Sequence, residues 1–190
     1  MFLFLFYNGI SRKVIPLIRI ETERLILRNF LPNDEKDLFE YLLQRKHELF
    51  EPYEDISEDT IERHLKYRLK NDEFIAIELK ENHKVIGNIY FGKRDFESRE
   101  IGYILNKNYF HKGYATEAGK EIIKRAFDNG VHRIYAECDP RNNPSRRLLE
   151  RLGLKKEGLL EKNVFFKRDE DNHPLWQDTM IYGLVNPKEK

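Results

Sequence analysis

The run Phe110-His111-Lys112-Gly113-Tyr114-Ala115-Thr116-Glu117-Ala118 carries the residue types best suited to chemistry in this chain. A short turn with one glycine leads into a strongly amphipathic stretch, so several amides at a helix start face one point. Such unpaired N–H groups, with the helix dipole behind them, hold an anion such as a diphosphate. Gly113 has no Cβ, lets the backbone come close and tolerates positive φ; small Ala115 keeps the first turn clear. An ordinary strand-to-helix turn would also use a glycine here. Neither G-x-x-x-x-G-K-S/T nor G-x-G-x-x-G occurs, so the familiar nucleoside-triphosphate and dinucleotide loops have no support.

A second segment runs from Asp139 to Leu154. Asn143 reads as a helix N-cap, Pro144 as the first helical position and Gly153 as the residue past the end, with Leu148, Leu149 and Leu152 as the buried stripe. Ser145 then falls in the first turn, where its hydroxyl can donate to a developing anion. Cap chemistry accounts for Asn143 and offers no role for Asn142.

Phe110-x-x-Gly113-x-Ala115, followed about 30 residues later by Asn142-x-x-Ser145 and Leu152-Gly153-Leu154, resembles the two motifs of the GNAT superfamily of N-acetyltransferases. The usual first motif is Gln/Arg-x-x-Gly-x-Gly/Ala. Phe110 departs from it, as in the branch of ribosomal-protein-alanine N-terminal acetyltransferases (RimJ/RimL-like). The resemblance implies that acetyl-CoA is the co-substrate. His111, Lys112, Gly113, Tyr114, Ala115 and Thr116 would then wrap its diphosphate. Asn142 would hold the pantetheine arm, Ser145 would lie beside the sulfur, and a backbone N–H near Leu105 would polarise the acetyl carbonyl. Many members place a tyrosine acid seven residues after the asparagine; this chain has Leu149 there, which leaves Ser145 to stabilise the thiolate. The implied base is Glu100 or Glu137, either of which could instead be a solvated or salt-bridged strand carboxylate. The place near Val164, where some members carry a glutamate, has none. Cys138 reads as a buried strand residue, not an acyl carrier.

The acceptor implied is a primary amine: a protein N-terminal α-amine or a small molecule. The rival is a catalytically silent acyl-CoA-binding module. At pH 7, deprotonating a lysine-like amine of pKa about 10.4 costs roughly 4.6 kcal/mol, against about 1 kcal/mol for an α-amine near 7.8. Residues 48–59 include six carboxylates and no Lys or Arg. They would draw a cationic amine or simply form a solvated loop. Tyr53, Phe165, Phe166 and Trp176 are candidates for an acceptor pocket, or for core. Arg146, Arg147, Arg151, Lys155 and Lys156 could meet the coenzyme 3′-phosphate or face water.

These groups need a frame. Strands are expected at 24–30, 74–79, 85–91, 100–105, 133–138, 154–160 and 179–185. Helices are expected from Asn33 or Asp34 to Arg45, from Ser57 to Lys70, from Gly113 to Asp128 and over 144–152. That order predicts an α/β (α+β) GNAT fold, a mixed and mostly antiparallel sheet of six to seven strands flanked by helices, over residues 17–190. Residues 1–16 read as an extension, either an upstream start or a stray strand. Met1 to Tyr7 is apolar but far short of the roughly 20 residues that span a bilayer. With 34 Lys and Arg against 33 Asp and Glu, the net charge of +1 gives no general pull on nucleic acid or membrane. One cysteine excludes an internal disulfide, and the six histidines lack zinc-ligand spacing, so no metal is expected. A cytoplasmic protein is expected, with monomer and homodimer both open.

Overall fold

The structure is a computed structural model that describes residues 18–188 apart from 47, 49 and 54; the 1–16 extension lies outside the described residues. Its elements in order are β1 (Arg19–Glu21), β2 (Leu25–Arg28), α1 (Glu35–Leu43), α2 (Ile61–Leu69), β3 (Phe74–Leu79) and β4 (Val85–Lys93). There follow β5 (Ser98–Leu105), α3 (Tyr114–Asp128), β6 (Arg133–Cys138), α4 (Asn143–Arg151), β7 (Lys155–Arg168) and β8 (Pro174–Val185). One sheet of eight strands has the order β1-β2-β3-β4-β5-β6-β8-β7. Among the described strands only β5 and β6 pair in parallel, and α3 supplies the crossover that a parallel pair needs.

Side chains alternate across the strands, and each face of the sheet has its own core. Ile75, Ile77, Ile101, Ile134 and Ala136 pack with Ala118, Ile122 and Phe127 of α3 and Leu148 of α4. On the opposite face Ala76 and Val85, with Ile104 partly buried, meet Leu38, Tyr41 and Leu42 of α1 and Leu65 of α2. Gly119 permits the close packing of the motif helices: a Cβ there would lie 2.8 Å from Leu152.

Several sequence boundaries move. Among the described residues the sheet has eight strands, not six to seven, because β1 is three residues long and gives no periodic signal. Asp34 holds the N-cap position of α1 but makes no side-chain cap bond there: its carboxylate is taken by Arg28 and by the Leu31 amide, inside a short 3-10 turn. Ser57 does not start α2. Ser57 and Thr60 form a preceding turn, with the Thr60 hydroxyl accepting the Ser57 N–H at 2.9 Å. β7 and β8 make a hairpin much longer than the alternation implied, since three register irregularities break the pattern in β7.

Candidate active site

β5 and β6 pair only from Ser98 to Glu100 against Arg133 to Tyr135, then separate. Ile101–Leu105 therefore have a strand partner on the β4 side alone. The Asn106 N–H bonds to the Ile86 carbonyl of β4 at 2.8 Å. Successive strand amides point to opposite sides, so the Leu105 N–H faces the gap. A cavity of about 1470 Å³ runs along this gap, and both sequence motifs border it.

The loop before α3 is built as an anion nest. His111 has φ +60° and Gly113 φ +83°, left-handed conformations of the kind that gather neighbouring amides on one side of a loop. Gly113 caps α3 without a side-chain bond, and its carbonyl takes the Glu117 N–H at 3.0 Å. Among the described residues no protein group accepts from the amides of residues 111–116. Arg24 braces the loop from outside. It donates to the Lys112 carbonyl at 3.0 Å, pairs with Glu117 at 2.7 Å and stacks on Tyr114, 4.5 Å from the ring centre. Burial alone would raise the Glu117 carboxyl, but hydrogen bonds from Thr22 and Arg24 hold it below the usual carboxylate range.

Asn142, not Asn143, caps α4: its side chain accepts the Ser145 N–H at 3.2 Å, and Asn143 and Pro144 are the first two helical residues. Pro lacks an N–H and fits the second position as well as the first. Ser145 Oγ lies 2.8 Å from the Tyr103 hydroxyl of β5, which also reaches the Ser145 carbonyl at 3.0 Å. Burial pushes the Tyr103 phenol well above its ordinary range. Burial likewise drives the neighbouring Cys138 thiol up to about 11, so it stays protonated at neutral pH.

Alternation divides the site between the faces. Tyr103, Leu105 and Cys138 pack toward α3 and α4. Glu100 and Glu137 point to the other face, where the connection between α1 and α2 adds Glu51 to the cavity wall. Glu100 pairs with Arg94, which also donates to the Tyr90 hydroxyl at 3.1 Å. Loss of hydration raises the Glu137 carboxyl, and the charge on Glu100 adds to it. Loss of hydration also raises Glu51, outweighing Arg45, with Glu100 and Glu137 pushing the same way. Phe74 and Tyr90, 5.1 Å between ring centres, wall this end.

Of the residues singled out in the sequence, Glu100, Leu105, His111, Gly113, Tyr114, Ala115, Thr116, Glu137, Asn142 and Ser145 line the one cavity. Lys112 does not; its ammonium sits over the Tyr109 ring at 5.1 Å. Tyr53 and Phe166 border the cavity. Phe165 and Trp176 instead pack edge-to-face on each other, 5.2 Å apart. Of the basic cluster only Arg147 and Arg151 reach the wall. Sequence reasoning missed Tyr103, although it shares the face of Leu105 two residues away. It also missed Arg24, which is distant in sequence from the loop it braces, and did not single out Glu51 within the acidic segment.

A family model described as acetyltransferase (GNAT) domain matches residues 24–155. The chain is 31% identical over 174 residues to the uncharacterized N-acetyltransferase YnaD of Bacillus subtilis (strain 168), covering 88% of this chain and 97% of that one. It is 26% identical over 196 residues to the ribosomal protein uS5-alanine N-acetyltransferase of Escherichia coli (strain K12), covering 93% and 95%. The crystal structure of a GNAT-family acetyltransferase from Bacillus anthracis matches with a TM-score of 0.80 at 28% identity, over 90% of this chain and 100% of that one. The family model spans the open strand pair and both motifs, and this chain belongs to the GNAT family and is an acetyl-CoA-dependent N-acetyltransferase.

Proposed function

We propose that this enzyme acetylates protein N-terminal α-amines, with the coenzyme entering from the α3/α4 face and the amine from the face of Glu51, Glu100 and Glu137. The division of the cavity between the two faces carries this reading. The unspent amides of residues 111–116 fit a diphosphate. Asn142 would hold the pantetheine arm through its Nδ2, since its Oδ1 serves the cap. When bound, acetyl-CoA supplies an activated acetyl thioester.

The chain's own groups do the rest. The Leu105 N–H polarises the carbonyl oxygen from the gap. Glu137, with its raised carboxyl, or Glu100 takes the proton from the incoming amine, directly or through water. Ser145 donates a hydrogen bond to the departing sulfur and keeps its own proton. An acceptor that enters as the ammonium loses two protons: one passes through the carboxylate to solvent before attack, and the second, lost as the amide forms, balances the proton gained by the thiol. Negative charge at the acceptor end favours a cationic amine, and the likeness to the uS5-alanine enzyme supports the α-amine class.

Release of free thiol from acetyl-CoA, measured with alanine-starting peptides, lysine side-chain peptides and small amines, tests the proposal. For an α-amine acceptor the rate levels off by about pH 8. A rate still climbing beyond about pH 9 with lysine peptides as the better substrates would overturn it.

A further inference from the structure

We propose that Tyr103 is a positioning residue for catalysis, releasing the Ser145 hydrogen toward the coenzyme sulfur at the moment of C–S cleavage. The inference rests on the reading that places that sulfur beside Ser145. Tyr103 has one hydroxyl hydrogen and two acceptors within reach, the Ser145 carbonyl at 3.0 Å and Ser145 Oγ at 2.8 Å. When the phenol donates to the carbonyl, Ser145 donates to the phenol oxygen and its hydrogen is withdrawn from the cavity. When the phenol swings to Oγ, the serine hydrogen leaves Tyr103 and can turn to the coenzyme sulfur in place of the neighbouring Cys138 Sγ, and the donated bond makes it a stronger donor. A rotation of one O–H bond interchanges the two states, with no heavy atom moving. As the C–S electron pair collects on sulfur, the second state is favoured. No proton leaves either hydroxyl; both act by hydrogen bonding, and the thiolate is neutralised from solvent or from the amine's proton.

The two hydroxyls come from opposite sides of the gap. Tyr103 is held by β5 on one side of the gap, and Ser145 by the first turn of α4 on the other. The pair is therefore a polar bridge across the open strands, where the family's usual tyrosine position is occupied by buried Leu149.

Steady-state kinetics of Y103F, S145A and the double variant, with coenzyme A titrated into each by calorimetry, test the proposal. The phenylalanine keeps the ring packing. Y103F should lower kcat roughly tenfold, a neutral hydrogen bond's worth, with KM for acetyl-CoA and the coenzyme Kd within about twofold. S145A should lower kcat further, by up to about a hundredfold. The double variant should match S145A, because Tyr103 acts only through Ser145. Effects that multiply in the double variant would overturn the proposal, as would an unchanged kcat or a weakened Kd with Y103F. A parent protein that binds no coenzyme A or releases no thiol would instead overturn the reading beneath it, so the two failures are distinct.

Discussion

Replacing Gly113 by alanine probes the anion nest with a single methyl group. At φ +83° the residue occupies the left-handed region, where an L side chain costs about 1–2 kcal/mol. Space is not the difficulty, since the new Cβ would sit 3.4 Å from Arg24 Nη2. The strain has two outlets. If the empty loop keeps its shape, the folded state loses about 1–2 kcal/mol and coenzyme A binds as before. If the loop relaxes, stability is spared and the coenzyme must drive the backbone back, weakening its Kd about 5- to 30-fold. Either way the two losses, expressed as free energies, sum to the same strain. Gly130 supplies the control: its φ is +79°, no atom lies within 4 Å of its added Cβ, and it sits beyond the far end of α3. G130A should therefore lose stability alone. Urea melts give the first quantity and calorimetric titration with coenzyme A the second. A G113A protein equal to its parent in both would refute the nest, as would a comparable loss of affinity in G130A.

Glu100→Gln removes a charge that raises Glu137 and frees Arg94, so Glu137 should ionise at lower pH. The acid limb of kcat/KM then shifts downward in E100Q and flattens in E137Q; complete loss of turnover in E100Q would assign the base to Glu100 instead. Arg24→Met leaves the Glu117 carboxylate uncompensated beside the loop, and coenzyme affinity should fall about tenfold by calorimetry. Because Arg24 is 42% exposed, global stability should change by less than about 1 kcal/mol. Arg28→Met strands two carboxylates, Asp34 and Glu78, each 7% exposed, and should cost about 3–5 kcal/mol in urea melts. Burial raises Glu78, but hydrogen bonds from His83 and Arg28 hold it below the usual range. Its stabilisation is present at neutral pH and fades as pH falls through that lowered value. In R28M this acid sensitivity should shrink, and an unchanged pH slope would count against the pairing.

Local signals carried most of the frame. The alternation in Phe74–Leu79 and Val85–Lys93 and the helical period of Tyr114–Asp128 come from residues near one another in sequence, and they position the elements correctly. Both motifs were legible for the same reason, being a turn and a cap that fold against themselves. What was illegible depends on pairing at a distance. Arg24 lies 93 residues from Glu117, and Tyr103 lies 42 from Ser145, so neither contact leaves a periodic trace. The choice between Asn142 and Asn143 as cap failed because two adjacent asparagines with a following proline satisfy the same local rule. The long β7–β8 hairpin was shortened by polar residues within β7, whose pairing depends on β8 and not on their own pattern.

The division of the site between faces also accounts for where the protein accepts unfavourable electrostatics. Two of the three carboxylates at the proposed acceptor end, Glu51 and Glu137, are raised by burial; Glu100 adds to both, and Glu137 adds to Glu51. A carboxyl raised in the folded state stabilises it at low pH, and that contribution is lost as pH rises through the folded value. At neutral pH these residues therefore work against the fold, and Glu51 does so from a left-handed backbone conformation of φ +46°. Glutamines in their place would keep the size and remove the repulsion, so packing alone gives no reason for the acids. A cationic amine gives one, since its charge relieves the repulsion on entry. A base whose affinity for protons has been raised toward neutrality is then better matched to taking the proton that blocks attack. Under the proposed function, the same broken strand pairing that opens the sheet to the coenzyme brings these carboxylates to the opposite mouth of the gap, so binding of the donor and activation of the acceptor would follow from one interruption in the ladder.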